Sequence, residues 1–466
     1  MLPPRELRDF AKVFQNAGFQ CYLVGGALRN IVMRRPPTDW DIATDAMPEQ
    51  VASIFQRVIP TGARHGTVTV HFRGLQVEVT TFRIESDYSD SRHPDSVTFT
   101  RDIHEDLKRR DFAMNAMALN LFDGAFVDPH NGLGDIKGSI IRAIGIPDER
   151  FREDGLRILR AVRFAAQLDF TVEDNTRRAM TDSLARLSSV SPERIRDELS
   201  KILQSPNPST GFHLAQETGV LKSILPELEA CVGIEQATAP RALIFAFSGP
   251  TRADSAPSFD VFKHSILACD GAPADVLELR MAALLHDIGK APTFIRDGEG
   301  NISFHGHELV SAELTAAILS RLRYPNAFIR KVTHLVAQHM FHYEHEWSDA
   351  AVRRFIMRVG REHVEDLYRL RRADTYGKTG RPTPDATLDE LQRRVEKIDH
   401  EAHAITIADL AINGDVLASE AGIPRGPIMG TVLKYLLDAV IEDPAQNTRQ
   451  TLLSLAEAFR KNYMNR

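Results

Sequence analysis

Between residues 22 and 41 the chain sets out an apolar strand, a paired-glycine turn and two carboxylates one residue apart, an order few folds accommodate. Tyr22-Leu23-Val24-Gly25-Gly26-Ala27-Leu28-Arg29 reads as strand, tight turn and helix start. Adjacent glycines let the backbone approach a phosphate closely, and the N–H groups of a helix start then face the anion. Arg29 adds a forked cation matched to phosphate oxygens. In Asp39-Trp40-Asp41-Ile42-Ala43-Thr44 the carboxylates stand at i and i+2, so on a strand they share a face. Gly-Gly turns and solitary Asp-x-Asp pairs are each common on ordinary loops. Together, a phosphate cradle and paired carboxylates are what a Mg²⁺-dependent phosphoryl or nucleotidyl transfer site requires.

The combination resembles the signature of the nucleotidyltransferase superfamily. Asn30 departs from it, since that family usually places Asp after the Arg.

With 466 residues the chain can build several domains with cores of their own. Its formal net charge of −6 does not advertise nucleic-acid binding, so any RNA contact must rest on local Arg clusters. Cys21, Cys231 and Cys269 are too far apart for a disulfide framework or a zinc pattern. The start, Met1-Leu2-Pro3-Pro4-Arg5-Glu6-Leu7-Arg8-Asp9, is charged and unlike a signal peptide, and no apolar run reaches membrane-spanning length. A cytoplasmic protein with no membrane partner is expected; no feature of the sequence sets an oligomeric state.

Around the turn, residues 5–18 predict a helix with Leu7, Phe10, Ala11 and Phe14 on one face, and Pro48 to Phe55 another. Thr67–Phe72 and Leu75–Phe82 flank Arg73-Gly74 as a short-loop hairpin. In its second strand Val77 and Val79 face one way, Glu78 and Thr80 the other. Glu78 is then a third metal ligand, a group that helps take the proton from an attacking hydroxyl, or a solvent-facing residue. Arg83 to Thr100, rich in Asp, Ser, Arg and His, reads as a mobile loop. Asp106 to Ala118 reads as a helix with Ala and Met on its buried side. There Asp111 and Asn115 share a face at i and i+4 and can hold a ribose hydroxyl, while Arg110 meets phosphate.

The string Arg110-Asp111-Phe112-Ala113-Met114-Asn115-Ala116, preceded by Arg109, resembles the second motif of class II tRNA nucleotidyltransferases and bacterial poly(A) polymerases, with Ala113 where Thr is frequent. Asp128-Pro129-His130-Asn131-Gly132-Leu133-Gly134-Asp135-Ile136 resembles the next motif, a connector between head and neck.

Beyond it, Leu156, Leu159, Val162 and Phe164 recur at helical spacing, and Asp154, Arg157, Arg160 and Arg163 form a polar stripe every three residues. Such a stripe is usually a solvated face. Here it is similar to the Glu-Asp-x-x-Arg motif that reads the incoming base in class II enzymes. Arg offers donors only and a carboxylate acceptors only. An Asp154–Arg157 pair one helical turn apart would present a mixed edge that accepts cytosine or adenine and rejects guanine and uracil. Arg160 and Arg163 would hold the triphosphate or steady the pair. Ser191-Pro192-Glu193-Arg194-Ile195-Arg196-Asp197-Glu198-Leu199 opens with a Ser-Pro helix signal. It resembles the last neck motif, and equally suits a salt-bridged surface.

Thr251 to Pro257 reads as a linker or loop. A second constellation follows: His264, His286-Asp287, His307, His339 and Asp374 at helix-scale intervals. The ensemble resembles an HD-domain phosphohydrolase, which implies that His264, His286, Asp287 and Asp374 bind a divalent metal and that His307 and His339 suit a second. Imidazole plus carboxylate favours a transition-metal ion over Mg²⁺ and fits hydrolysis by metal-activated water. The substrates implied are phosphoesters, a 2′,3′-cyclic or terminal phosphate at an RNA 3′ end. Residues 385–403 predict a charged helix. A Gly/Pro-rich turn over 422–430 and helices from Thr431 and near Thr448 close the chain; the residues alone fit an ordinary helix connection better, while the arrangement is similar to the tRNA-gripping tail of the family.

The expected fold is α+β: a small mixed-sheet nucleotidyltransferase head (1–140), a helical neck with the base template (141–225), a helical body with the HD region (226–395) and an RNA-binding helical tail (396–466). The resemblance implies template-independent addition of CCA to tRNA 3′ ends from CTP and ATP. Asp39, Asp41 and Glu78 are the catalytic carboxylates, the two aspartates holding Mg²⁺. Gly26, Arg29, Arg110, Asp111, Asn115, Asp154, Arg157, Arg160 and Arg163 bind the nucleotide. The alternatives are a poly(A) polymerase or CC- or A-adding enzyme and, in another class, an HD phosphohydrolase with an RNA-binding head.

Overall fold

The computed structural model describes residues 4–37, 39–63, 66–86, 96–236, 259–401 and 406–463. The chain divides into two compact units, 1–232 with 317–326, and 233–316 with 327–466.

The first unit begins with α1 (Arg5–Asn16), whose apolar spacing buries Leu7, Phe10, Ala11 and Phe14 as expected. After it come β1 (Tyr22–Val24), α2 (Gly25–Val32), β2 (Trp40–Thr44), α3 (Pro48–Ile54), β3 (Val58–Gly62), β4 (Thr67–Phe72) and β5 (Leu75–Thr81). Then follow β6 (Arg83–Ser86), β7 (Ser96–Phe99), α4 (Ile103–Lys108), β8 (Ala118–Asn120) and β9 (Phe126–Val127). Seven of these strands form one mixed sheet in the order β3-β4-β5-β2-β1-β8-β9, parallel between β2 and β5 and antiparallel elsewhere. The hairpin turns at Arg73 and Gly74, both at positive φ (48° and 84°), the mirror-image turn whose twist matches two paired strands.

Period-two alternation decides which sheet face is core. Val77 and Val79 pack with Ile42, Val68 and Val70 beneath α1, so Asp41 and Glu78 point to the opposite face. Part of that face is covered by Ile103 and Leu107 of α4 and by Ala113, Ala116 and Ala118. The rest carries the carboxylates.

Two expectations here need correction. The loop expected over 83–100 instead begins and ends as an antiparallel pair, β6 with β7; four-residue strands are too short to show alternation in sequence. The interval 87–95 lies outside the described residues. The helix expected over 106–118 ends at Lys108; a 3₁₀ turn, Ala113–Asn115, follows, and then β8. Asp128 accepts the N–H groups of Gly132 and Leu133 and so starts α5 (Gly132–Gly138), which packs against that turn.

Later in the first unit come α6 (Pro147–Glu153), α7 (Leu156–Leu168), α8 (Asp174–Asp182) and α9 (Pro192–Leu203). The chain breaks between α6 and α7: Asp154 is extended (φ −145°, ψ 107°). A Cβ on Gly155 would lie 2.5 Å from the Arg186 carbonyl oxygen, so only glycine lets the break pack there.

The second unit is largely helical. The linker expected at 251–257 lies outside the described residues. Ala386–His400 matches the expected charged helix, and the tail helices run Pro427–Glu442 and Arg449–Tyr463. The first of these starts ahead of Thr431 because Pro427 can occupy the first helical position. Residues 410–459 bury a cluster of their own, including Leu417, Leu436 and Leu452. No helix among the described residues is long and apolar enough to cross a membrane. The three cysteines are buried and form no disulfide.

Candidate active site and a buried His/Asp cluster

A cavity of about 990 Å³ lies within the first unit, the size of pockets that hold nucleotide-scale ligands. Asp39, Asp41 and Glu78 line it, with Gly26, Arg29, Arg110, Asp111 and Asn115 from the head. Asp154, Arg157, Arg160 and Arg163 line it from the neck.

The parallel register sets Asp41 directly beside Glu78. Gly25, at φ 66°, packs against Asp41: a Cβ there would stand 2.8 Å from Asp41 Oδ2 and 3.4 Å from Arg110 Nη1, so a side chain would have to push that carboxylate aside. Burial raises the Asp41 pKa; Arg110, the Gly26 N–H and Arg29 oppose it, while neighbouring Asp39 adds to it. Glu78 is raised as well, by burial and then by Asp41 and Asp39. Two neighbouring carboxylates that ionise reluctantly, with an exposed third on the same cavity wall, offer oxygen donors of the kind a hard divalent cation takes.

The cations are arranged through partners. Arg29 is 9% exposed. It donates Nη1 to Asn115 Oδ1 (2.8 Å) and Nη2 to Asn30 Oδ1 (3.0 Å). Burial and nearby Arg163 lower its pKa to about 10. Asn30, where the signature usually has Asp, thus orients Arg29 without neutralising it. Arg110 reaches buried Asp106 (3.3 Å), which Arg109 also holds (2.8 Å). Burial alone would raise Asp106, but these two guanidiniums outweigh it and hold its pKa below the ordinary value.

Asp111 and Asn115 meet through a turn rather than a helix face, Nδ2 to Oδ1 at 3.2 Å. Asp111 also receives Arg160 Nε at 2.7 Å; burial would raise its pKa, yet Arg160 holds it well below the carboxylate range. Arg163 pairs with Glu198 of α9 at 3.2 Å. Arg157 and Arg163 are each only 8% exposed, so the stripe is no solvated face.

The base-reading pair is built differently from expectation. Asp154 and Arg157 do not share a helix, because the chain breaks between them. Both Asp154 oxygens are held by the fork of Arg194 (3.1 and 2.7 Å). Arg157 pairs with Glu153 and donates to the carbonyls of Arg150 (3.1 Å) and Arg109 (3.0 Å). Arg194, Glu153 and Glu198 were missed as site residues. The one signal was the Ser191-Pro192-Glu193-Arg194 helix start, which gives no hint of a partner forty positions earlier.

In the second unit, helices and their ends gather His264, His286 and Asp374 into one triad and Asp287, His307 and His339 into another, all buried. Asp287 joins them. Its Oδ2 lies 3.3 Å from His264 and His286 Nε2, and its Oδ1 lies 3.3 Å and 3.6 Å from His307 and His339 Nε2. The Nδ1 atoms of His286, His307 and His339 face backbone carbonyls of Ala283, Phe304 and Val336, which turns each Nε2 lone pair inward. Among the described residues the His307 and His339 Nε2 atoms find no hydrogen-bond partner. Buried acceptors left this way are costly, and a metal ion would satisfy them.

The comparisons with known proteins bear on the whole chain. Family models match residues 21–142 (poly A polymerase head domain), 169–232 (probable RNA and SrmB-binding site of polymerase A) and 309–456 (putative tRNA nucleotidyltransferase domain 2). The CCA-adding enzyme of Lactobacillus delbrueckii subsp. bulgaricus is 33% identical over 440 residues, 94% of this chain and 93% of that one. The chain belongs to the CCA-adding enzyme family. The family's Lactobacillus johnsonii member is 46% identical over 213 residues, a match spanning about half the length of either protein (46% of this chain, 53% of that one). Among solved structures, the Bacillus stearothermophilus CCA-adding enzyme in complex with CTP superposes with a TM-score of 0.75 at 28% identity, covering 100% of both chains.

Proposed function

We propose that this chain adds C, C and A to tRNA 3′ ends from CTP and ATP without a nucleic-acid template, acting in the cytoplasm. The carrying observation is one cavity lined by Asp39, Asp41 and Glu78, by Arg29 and Arg110, and by Asp154 and Arg157. Asp39 and Asp41 hold Mg²⁺, with Glu78 as third carboxylate. The ion, when bound, activates the primer 3′-hydroxyl and shields charge on the α-phosphate. The Gly26 turn, Arg29 and Arg110 bind the phosphates, Arg160 and Arg163 steady them from the neck, and Asp111 with Asn115 borders the ribose.

Base choice follows from donors and acceptors. Cytosine and adenine each offer an amino donor beside a ring-nitrogen acceptor; uracil and guanine invert that order. Asp154 accepts and Arg157 donates, so only the first pair is complemented. Arg194 and Glu153 hold these two groups in place. The division we propose is a head over 1–140, a neck over 141–225, a body over 226–395 and an RNA-binding tail over 396–466. The test is a tRNA lacking CCA, given the four nucleotides singly and together, resolved on a gel. CCA and nothing longer is expected. An A-tract would make it a poly(A) polymerase, and arrest after CC, or growth only from CC ends, a partial adder. Absence of CTP incorporation would leave an RNA-binding head on a hydrolase.

The inward-facing Nε2 atoms favour a second reading for the other unit, an HD-type phosphohydrolase holding transition-metal ions at its two triads. Its test is metal-dependent phosphoester hydrolysis that disappears in His286→Ala.

A further inference from the structure

Cations pair with both aspartates of the His/Asp cluster. Lys290 Nζ donates to Asp287 Oδ2 at 2.6 Å, and Lys378 Nζ donates to Asp374 Oδ2 at 2.8 Å. Arg371 Nη1 lies 3.7 Å from that second oxygen. These two aspartates are the ones that face His264 Nε2, at 3.3 and 3.2 Å. Each lysine stands one helical turn from its aspartate, so backbone geometry fixes it there. Both oxygens of Asp287 face imidazoles, Oδ2 those of His264 and His286 and Oδ1 those of His307 and His339, and Lys290 reaches Oδ2.

The side chains of Lys290 and Lys378 are 14% and 55% exposed; Lys290 Nζ also donates to Gln236 Oε1 (3.2 Å), and an ammonium has three hydrogens, so each lysine can turn one toward a ligand while holding its carboxylate. A centre loaded with divalent ions at both triads carries more positive charge than two carboxylates cancel. Lys290, Lys378 and Arg371 add to that excess. A phosphomonoester brings three terminal oxygens and close to two negative charges at neutral pH; a phosphodiester brings two oxygens and one charge. Attraction scales with the product of the charges.

We propose that this cluster takes a phosphomonoester dianion in preference to a diester or cyclic phosphate, with Lys290 and Lys378 holding the phosphate. The proposal rests on the metal-centre reading above. In the reaction a water oxygen forms a bond to phosphorus and the ester P–O bond breaks. The leaving alkoxide takes a proton from that water, and inorganic phosphate departs.

The test uses the full chain loaded with Mn²⁺ or Ni²⁺. Metal content is measured by mass spectrometry and binding of inorganic phosphate by calorimetry. Hydrolysis is followed on one RNA oligonucleotide ending in either a 3′-phosphate or a 2′,3′-cyclic phosphate. The wild type is expected to favour the 3′-phosphate by about tenfold or more in kcat/KM. Lys290→Met and Lys378→Met should keep their metal and weaken phosphate binding by about tenfold each. If Lys290→Met loses metal, half-exposed Lys378 decides alone. Preference for the cyclic ester, or unchanged phosphate affinity in a metal-replete variant, overturns the proposal while leaving the metal centre standing. A wild-type chain that binds no metal removes both.

Discussion

In the head, Asp41 and Glu78 lie side by side on neighbouring strands and ionise less readily than free carboxylates. In the second unit, Asp287 and Asp374 work against burial too, yet imidazoles and ammonium groups hold them far below the carboxylate range. The first set offers oxygen alone, beside an open cavity lined with guanidiniums. The second offers nitrogen and oxygen in a buried nest. All-oxygen donors suit a hard cation; mixed nitrogen and oxygen donors suit a softer one. Under the two functions proposed above, a single chain would use the same side chain, aspartate, for two kinds of metal chemistry by changing what surrounds it.

The sharpest way to break this contrast is Asp41→Asn. Nucleotide incorporation should fall by about a thousandfold or more, the scale on which losing several kcal/mol of charge stabilisation acts. The melting temperature should hold or rise, because the charged form is disfavoured by folding. A drop in both would mean Asp41 is structural.

Asp106→Asn tests a carboxylate of the opposite kind in the same unit. Breaking its buried pairs with Arg109 and Arg110 should cost about 3 kcal/mol in urea titrations at neutral pH. The folded pKa of Asp106 lies below its ordinary 3.8. Its contribution is therefore complete above that value and is lost as pH falls through the folded pKa. The variant should lose that part of the acid limb, and an unaltered limb would refute the assignment.

Arg157→Ala should relax nucleotide choice more than it lowers CTP use. A good bidentate base contact is worth about 1–3 kcal/mol, so UTP and GTP misincorporation relative to CTP and ATP should rise roughly 5- to 150-fold in single-nucleotide extensions. An unchanged preference would locate base reading elsewhere.

The smallest effect expected is the most telling for the comparison. Asp287→Ala should empty the His/Asp cluster of metal, read by mass spectrometry, while CTP incorporation stays within about twofold, as for sites that share no residue. A larger loss would join the two sites functionally.

Local rules carried much of this into the sequence. Period 3.6 marks the buried face of α1, period two marks which way Glu78 points, and a Gly-Gly step after an apolar strand marks the turn over Asp41. Those signals span a few residues and need no knowledge of the rest of the fold. Long-range closure was illegible. Nothing near Asp154 announces that Arg194 holds it, or that Asp111 will face Arg160 rather than lie along a helix. The break at Asp154–Gly155 was hidden because the polar stripe Asp154, Arg157, Arg160 and Arg163 keeps its three-residue step across it. β6 and β7 were hidden because each contributes only four residues.

The turn at Gly25 has a last consequence. Its hydrogen occupies the space where every other amino acid carries a carbon, and that carbon would press on a carboxylate oxygen. Any replacement must shift that oxygen while holding a left-handed backbone, so a library of substitutions at this codon should favour glycine, with Asn and Asp, which tolerate that backbone, next in order.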